Sequence, residues 1–405
     1  MLNVKKIILA LLFCCIGIFA SSGICYVAFA VIIFLTLLSV LLRPEFKISF
    51  NQIEDLIPLA FMGVWIYGVI VGLVRHNQPK YIFANFAGMI VYAFYYVLIV
   101  FRIPKLTVFK IAFYGGVTIA TFTTIIFYLN SWGIISLYRG WSSTGQVRVF
   151  ITILATAYIP WLYTVSLFFM PNSKKEILRS TFSIKNITSL FIFLICSFSI
   201  LYISASKGFT LGVLFYFIFV PVLFYSPKFL KGKLNVKLPI FLTFILILFV
   251  VYSSLGYGDI VTKLFAKVDI SNKARYDQLD FIINDFNFFG NGLGATIKGL
   301  VRSISTPYGF ELTYLNLIHK FGFMSLILFL GWTYLFIKII GRILVGKELL
   351  FNIAAFGALG YMLPSIGNPL LMHPACVMLN CIALYLTRKP IDKSANKSEL
   401  VPDAN

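Results

Sequence analysis

Charge is scarce in this chain, and acidic charge is scarcest. Asp and Glu number 14 against 34 Lys and Arg, and charged side chains make up only 12% of 405 residues. A soluble domain carries about a quarter of its residues as charges, so an ordinary water-soluble enzyme is excluded. A disordered or collagen-like chain is excluded too, because 60% of the residues are hydrophobic and 17% aromatic. Histidine occurs three times and cysteine six times. Cys14, Cys15, Cys25, Cys196, Cys376 and Cys381 lie in or beside apolar runs, with no CxxC pair and no Cys/His ligand spacing. That pattern implies neither a metal site nor a disulfide framework. No Walker loop, HExxH, GxSxG or nucleotide-sugar DxD with a soluble domain around it appears.

What is present is length and apolarity. Runs of about 17 to 22 apolar residues can cross a bilayer as helices. They fall at 7–22, 24–42, 56–74, 83–101, 106–128, 149–170, 187–204, 208–225, 238–255, 312–337, 349–366 and 370–387, which makes about twelve. The pattern predicts an all-α polytopic integral membrane protein. The first run, preceded by Lys5 and Lys6, resembles a signal peptide, but the next begins almost at once, which favours a retained helical hairpin.

The formal net charge of +20 is therefore read as membrane topology and not as a nucleic-acid surface. With the N-terminus in the cytoplasm, cytoplasmic segments hold 22 of the 34 basic residues and the short loops agree. Both termini are then cytoplasmic. Residues 388–405, polar with two prolines, read as a disordered cytoplasmic tail. Residues 1–255 and 311–387 hold the spans, and 256–310 form one large external loop.

Long loops in compact folds carry function or are disordered. Stretches such as LDFIINDF make the 256–310 loop helix-compatible, so it is expected to be an ordered cap. Basic residues on the translocated side oppose the orientation rule and invite a chemical reason. Arg139, Arg148, Lys273, Arg275 and Arg302 lie at span ends or in loops that can fold over the bundle mouth. Guanidinium groups bind phosphate through paired hydrogen bonds; the alternative for each is a solvated or snorkelling side chain. Glu311 enters the tenth span, where partial desolvation suits a general base and where an acid is also favoured by the helix dipole. His319 lies two turns further in. His373 and His76 have simpler readings, near a span end and in a short loop.

Two segments carry a family resemblance. Residues 275–295, RYDQLDFIINDFNFFGNGLGA, and 311–325, ELTYLNLIHKFGFMS, together resemble the O-antigen polymerase and O-antigen ligase superfamily of bacterial envelope glycosyltransferases. Members show an Arg opening an amphipathic helix, a small glycine turn, and then a His-Asn-x-x-Leu-like span start continuing towards Gly-x-x-Gly. Here Arg275 opens the helix, Gly290, Gly292 and Gly294 make the turn, and Leu315 and Gly322 fall at matching distances from Glu311. Glu311 stands where ligases have His, Leu312 where Asn is common, and Ser325 in place of the second Gly. Polymerases of the superfamily vary more, so the pattern points to them.

The resemblance implies a GT-C-like bundle with one large periplasmic loop, in the bacterial inner membrane, needing neither metal nor cofactor. Its substrates would be an undecaprenyl-pyrophosphate-linked glycan donor and a lipid-linked acceptor, joined at the periplasmic face. A chain-length regulator protein is the possible partner, besides membrane lipid; nucleic acid is not one. By position, Glu311 would orient or deprotonate the acceptor hydroxyl. Arg275, with Arg148, Arg139, Arg302 and Lys273, would hold the pyrophosphate, and His319 would stand beside the catalytic group. Two alternatives stay open: a ligase that transfers finished glycan to lipid A–core, and a flippase or other transporter of lipid-linked oligosaccharide.

Overall fold

A computed structural model describes residues 23–42, 52–134, 151–204, 206–230, 270–300 and 307–389. Helices dominate these residues and no strand occurs among them. Six helices are long and apolar enough to cross a membrane: Ile53–Val74, Pro79–Val100, Lys105–Ser131, Asn186–Ile203, Gly208–Tyr225 and Thr313–Val345. The expected runs 7–22 and 238–255 lie outside the described residues. The chain is thus a helical protein of multi-pass membrane character.

The helices are numbered here in chain order. α1 (Gly23–Leu42) precedes α2 (Ile53–Val74). α3 (Pro79–Phe86) passes through a 3₁₀ stretch into α4 (Phe94–Val100), and α5 runs from Lys105 to Ser131. A first turn, α6 (Ile151–Leu154), leads by a 3₁₀ stretch to α7 (Tyr158–Phe169), followed by the surface helix α8 (Asn172–Thr181). α9 (Asn186–Phe198) ends in a π-helical turn, and α10 spans Lys207–Leu230. Then come α11 (Ile270–Asn284), α12 (Thr313–Phe321), α13 (Ser325–Val345), α14 (Leu349–Ala358) and α15 (Pro374–Thr387).

Three of the expected spans are short instead: 149–170 is found as the apolar helix Ala155–Phe169, and the other two are central. The run 349–366 is helical only to Ala358, and 370–387 begins its helix at Pro374. Every residue of α15 is buried, as is almost all of α14. A helix that is apolar all round belongs inside a bundle, and these two form its centre, with α7 packed on α14. The outer helices show apolar side chains instead, among them Ile66, Ile70, Leu194, Leu330 and Ile337. Such a surface is satisfied by lipid and not by water.

At one end of the bundle the charges are paired, and Glu54, Asp55 and Arg388 among them are buried. The Asp55 carboxylate accepts from Arg388 Nε at 2.8 Å and from the Tyr95 hydroxyl at 2.7 Å. Neighbouring Glu54 pairs with Lys338, and Glu348 pairs with Lys105 at 2.8 Å and Arg342 at 3.4 Å. All seven charged residues belong to segments that the basic-residue pattern assigns to one side. Arg275, Asp285 and Glu311 gather towards the other end of α2, where Gly292 and Leu293 pack on Gly72 and Gly68.

Candidate functional site at the broken span

The long apolar segment Thr313–Val345 is not one continuous α-helix. α12 stops at Phe321, Gly322 adopts φ +55°, and a 3₁₀ turn leads into α13. Only a residue without Cβ fits there, since a Cβ on Gly322 would meet the Phe288 carbonyl oxygen at 2.1 Å. A break inside an apolar span frees backbone groups that lipid cannot satisfy, so protein must satisfy them.

The segment 285–294 does so. The carbonyls of His319 and Lys320 accept from the amides of Asn291 and Gly292 at 2.8 and 2.9 Å. The Phe323 amide donates to the Phe288 carbonyl at 2.9 Å, and the Leu293 amide donates to the Gly68 carbonyl of α2 at 2.8 Å. Asn77 donates to the carbonyls of Asn291 and Leu293, and Asn85 accepts from the Gly294 amide. Gly290, Gly292 and Gly294 all have positive φ. Gly292 lies so close to α2 that a Cβ would meet the Gly72 amide nitrogen at 2.2 Å. The glycine turn is a wedge between two spans.

Beside this wedge α11 lies along α12. Arg275 Nε is 3.0 Å from Glu311 Oε2, and its Nη2 reaches the Gly367 carbonyl at 3.4 Å. Gln278, one turn on, accepts from the Glu311 amide at 2.9 Å. At the far end of the same two helices, His319 Nε2 lies 2.7 Å from Asp285 Oδ2 and 2.9 Å from Asn291 Nδ2. With the carboxylate as acceptor, Nε2 carries the proton, and Asn291 donates to the Asp285 carbonyl at 2.8 Å. Between the two pairs, Ile282 packs with Phe310, Ile297 and Leu315. The pairing of 275 with 311 and 285 with 319 sets the helices side by side and parallel, with opposite polarity at the two clamps.

The clamps differ in access. Arg275 and Glu311 keep 22% and 11% of their side-chain surface open, whereas His319 has none. Its Nδ1 is buried without a hydrogen-bond partner among the described residues. A carboxylate beside a guanidinium, both reachable from outside the bundle, can accept a hydroxyl proton and hold an anion in one place. Among the described residues no three His, Cys, Asp or Glu side chains converge as a metal site would require.

No family model matches the chain, and no curated protein matches it. The site therefore rests on its own geometry.

That geometry brings Arg275, Glu311, His319 and the three glycines to one end. Lys273 is on the same helix but exposed. Arg139, Arg148 and Arg302 lie outside the described residues. Arg275 does not open its helix, as the sequence pattern suggests; α11 begins at Ile270 and carries Arg275 in its second turn. Glu311 precedes its helix, whose N-cap is Leu312. Asp285, Asn291 and Gln278 complete the site without having been singled out. Asp285 had one visible signal, its place within the helix-compatible LDFIINDF run, but nothing tied it to a histidine 34 positions on. His373 caps α15 by accepting from the Ala375 amide, and His76 is exposed.

Proposed function

We propose that the protein is a glycosyltransferase that polymerises undecaprenyl-pyrophosphate-linked oligosaccharide repeat units into an O-antigen or related polysaccharide. It would work at the periplasmic face of the bacterial inner membrane as a GT-C-like bundle of about twelve spans, without metal or cofactor, and with a chain-length regulator as partner. The observation that carries the reading is the partly open Arg275–Glu311 pair set beside a broken span, at the end opposite the buried Asp55–Arg388 pair. The paired motif segments of the superfamily resemblance supply the substrate class.

In this reading an acceptor hydroxyl attacks the anomeric carbon of the lipid-linked donor. The new C–O bond forms as the C–O bond to pyrophosphate breaks, and the electron pair leaves with the lipid pyrophosphate. Glu311 takes or orients the hydroxyl proton, which suits a carboxylate positioned by Arg275 and by the hydrogen bond its backbone N–H donates to Gln278 Oε1. Arg275 offsets charge that develops on the leaving pyrophosphate. His319 supports the site through its bond to Asp285.

The broken span favours one rival. Transporters place binding sites at interrupted helices and keep ionisable groups there, and Gly322 interrupts α12–α13 directly after His319 and Lys320. Reconstitution in proteoliposomes with a polyprenyl-pyrophosphate-linked repeat separates the readings. Lengthening of the glycan, lost in Glu311→Ala and Arg275→Ala at equal folded protein, is the expected outcome. Movement of the repeat across the bilayer without lengthening supports the flippase. Transfer only to lipid A–core supports a ligase.

A further inference from the structure

Only two Lys or Arg side chains are buried among the described residues, Arg388 and Lys320. Arg388 has the Asp55 carboxylate at 2.8 Å. Lys320 has no carboxylate within ion-pair distance among the described residues, although none of its surface reaches solvent. Its Nζ donates to the Tyr308 carbonyl at 3.1 Å and stands 5.6 Å and 5.9 Å from the ring centroids of Phe310 and Tyr308. One carbonyl and two ring faces offset part of the cost of burying an ammonium; they do not replace a counter-charge. A methionine would fill the same volume without that cost, so the fold alone gives no reason for the charge.

Place narrows what the missing counter-charge is. Phe310 lies against Lys320 and is covalently next to Glu311, so the ammonium belongs to the same end of the bundle as the Arg275–Glu311 pair. Its backbone carbonyl receives the Gly292 amide, which fixes the residue against the glycine wedge. A lysine here is a compact charge with three donors, one of them already on Tyr308, and a phosphate offers several acceptor oxygens.

We propose that Lys320 is a binding group for a phosphate of the lipid-linked substrate, its Nζ taking a phosphate oxygen when the ligand arrives. This rests on the polymerase reading for the identity of the ligand and adds a second cation to Arg275. The phosphate belongs to the substrate's lipid carrier and not to a bulk phospholipid headgroup.

The test uses the full chain in phosphatidylcholine nanodiscs, titrated with polyprenyl pyrophosphate, with polyprenol as the uncharged control. Lys320→Met and Lys320→Gln are expected to weaken polyprenyl pyrophosphate binding about ten- to hundredfold and to leave polyprenol binding unchanged. Lys320→Arg keeps most of the affinity, and the thermal midpoint of ligand-free Lys320→Met stays at or above that of the wild type. Unchanged pyrophosphate affinity in Lys320→Met overturns the proposal. Failure of both neutral variants to fold overturns it too, because the charge then serves the fold. Lys320-dependent binding seen only in phosphatidylglycerol nanodiscs would assign the site to a headgroup and overturn the substrate assignment. If the wild type binds through Lys320 but lengthens no glycan, the polymerase reading fails and the phosphate site stands.

Discussion

Asp55 and Arg388 at one end of the bundle, and Arg275 and Glu311 at the other, are both carboxylate–guanidinium pairs, but their surroundings differ. The first pair is buried between regular helices and braced by Tyr95 and the Gln52 amide. The second is partly open and sits beside a broken span, three positive-φ glycines and a buried lysine with no carboxylate partner among the described residues. Matched, enclosed charges fasten helices. Charges left reachable in irregular backbone hold the helices less tightly and leave room for chemistry. The comparison predicts that breaking the first pair costs stability, and that breaking the second costs function.

The largest stability effect is expected at the closed end. Asp55→Ala leaves Arg388 buried without its counter-ion, at a cost of about 3–5 kcal/mol. The thermal midpoint of the purified protein should fall sharply, and the double variant Asp55→Leu/Arg388→Leu should recover much of the loss. Gly322→Ala comes next, at about 2–4 kcal/mol from strain at positive φ and from overlap with the Phe288 carbonyl. Size-exclusion profiles of the detergent-solubilised protein should show less folded material. Asp285→Ala strips a buried imidazole of its acceptor and should cost about 1–3 kcal/mol, read as a smaller midpoint shift. Arg275→Ala and Glu311→Ala should move the midpoint less than Asp55→Ala does, because their pair keeps more of its surface open.

The same contrast explains what was legible in the sequence. Apolar runs mark lipid-facing spans well: 56–74 is found as Ile53–Val74 and 106–128 as Lys105–Ser131. Hydropathy does not distinguish a span that crosses from a segment enclosed by other spans, so the run 349–366 read as one helix. Its apolar residues continue past Ala358, while the backbone turns at Leu359 and enters a 3₁₀ turn at Pro364. Lys105, Lys338, Arg342 and Arg388, which the basic-residue pattern put in one set, gather at one end through their pairs with Glu348, Glu54 and Asp55. The helix inside the 256–310 loop was visible in LDFIINDF, although it starts five residues before Arg275.

The site itself was half visible. Glu311, Arg275 and the glycines carry a motif-like spacing. The Asp285–His319 bond does not, since it arises from how α11 lies along α12, and neither does the setting of Lys320, which comes from Tyr308 and Phe310 folding against α12. A lysine next to a histidine in an apolar helix looks the same in sequence whether or not a carboxylate faces it. Only the surroundings of Nζ separate this lysine from one that is paired like Lys338 with Glu54.

The most direct measurement is glycan lengthening per folded protein in proteoliposomes, comparing Arg275→Ala with Asp55→Ala. Arg275→Ala is predicted to lower lengthening by about a hundredfold or more, as loss of a group that stabilises developing charge does, with its thermal midpoint near that of the wild type. Asp55→Ala is predicted to lower the midpoint while the protein that remains folded lengthens glycan at close to the wild-type rate. Near-normal lengthening by folded Arg275→Ala would contradict the account.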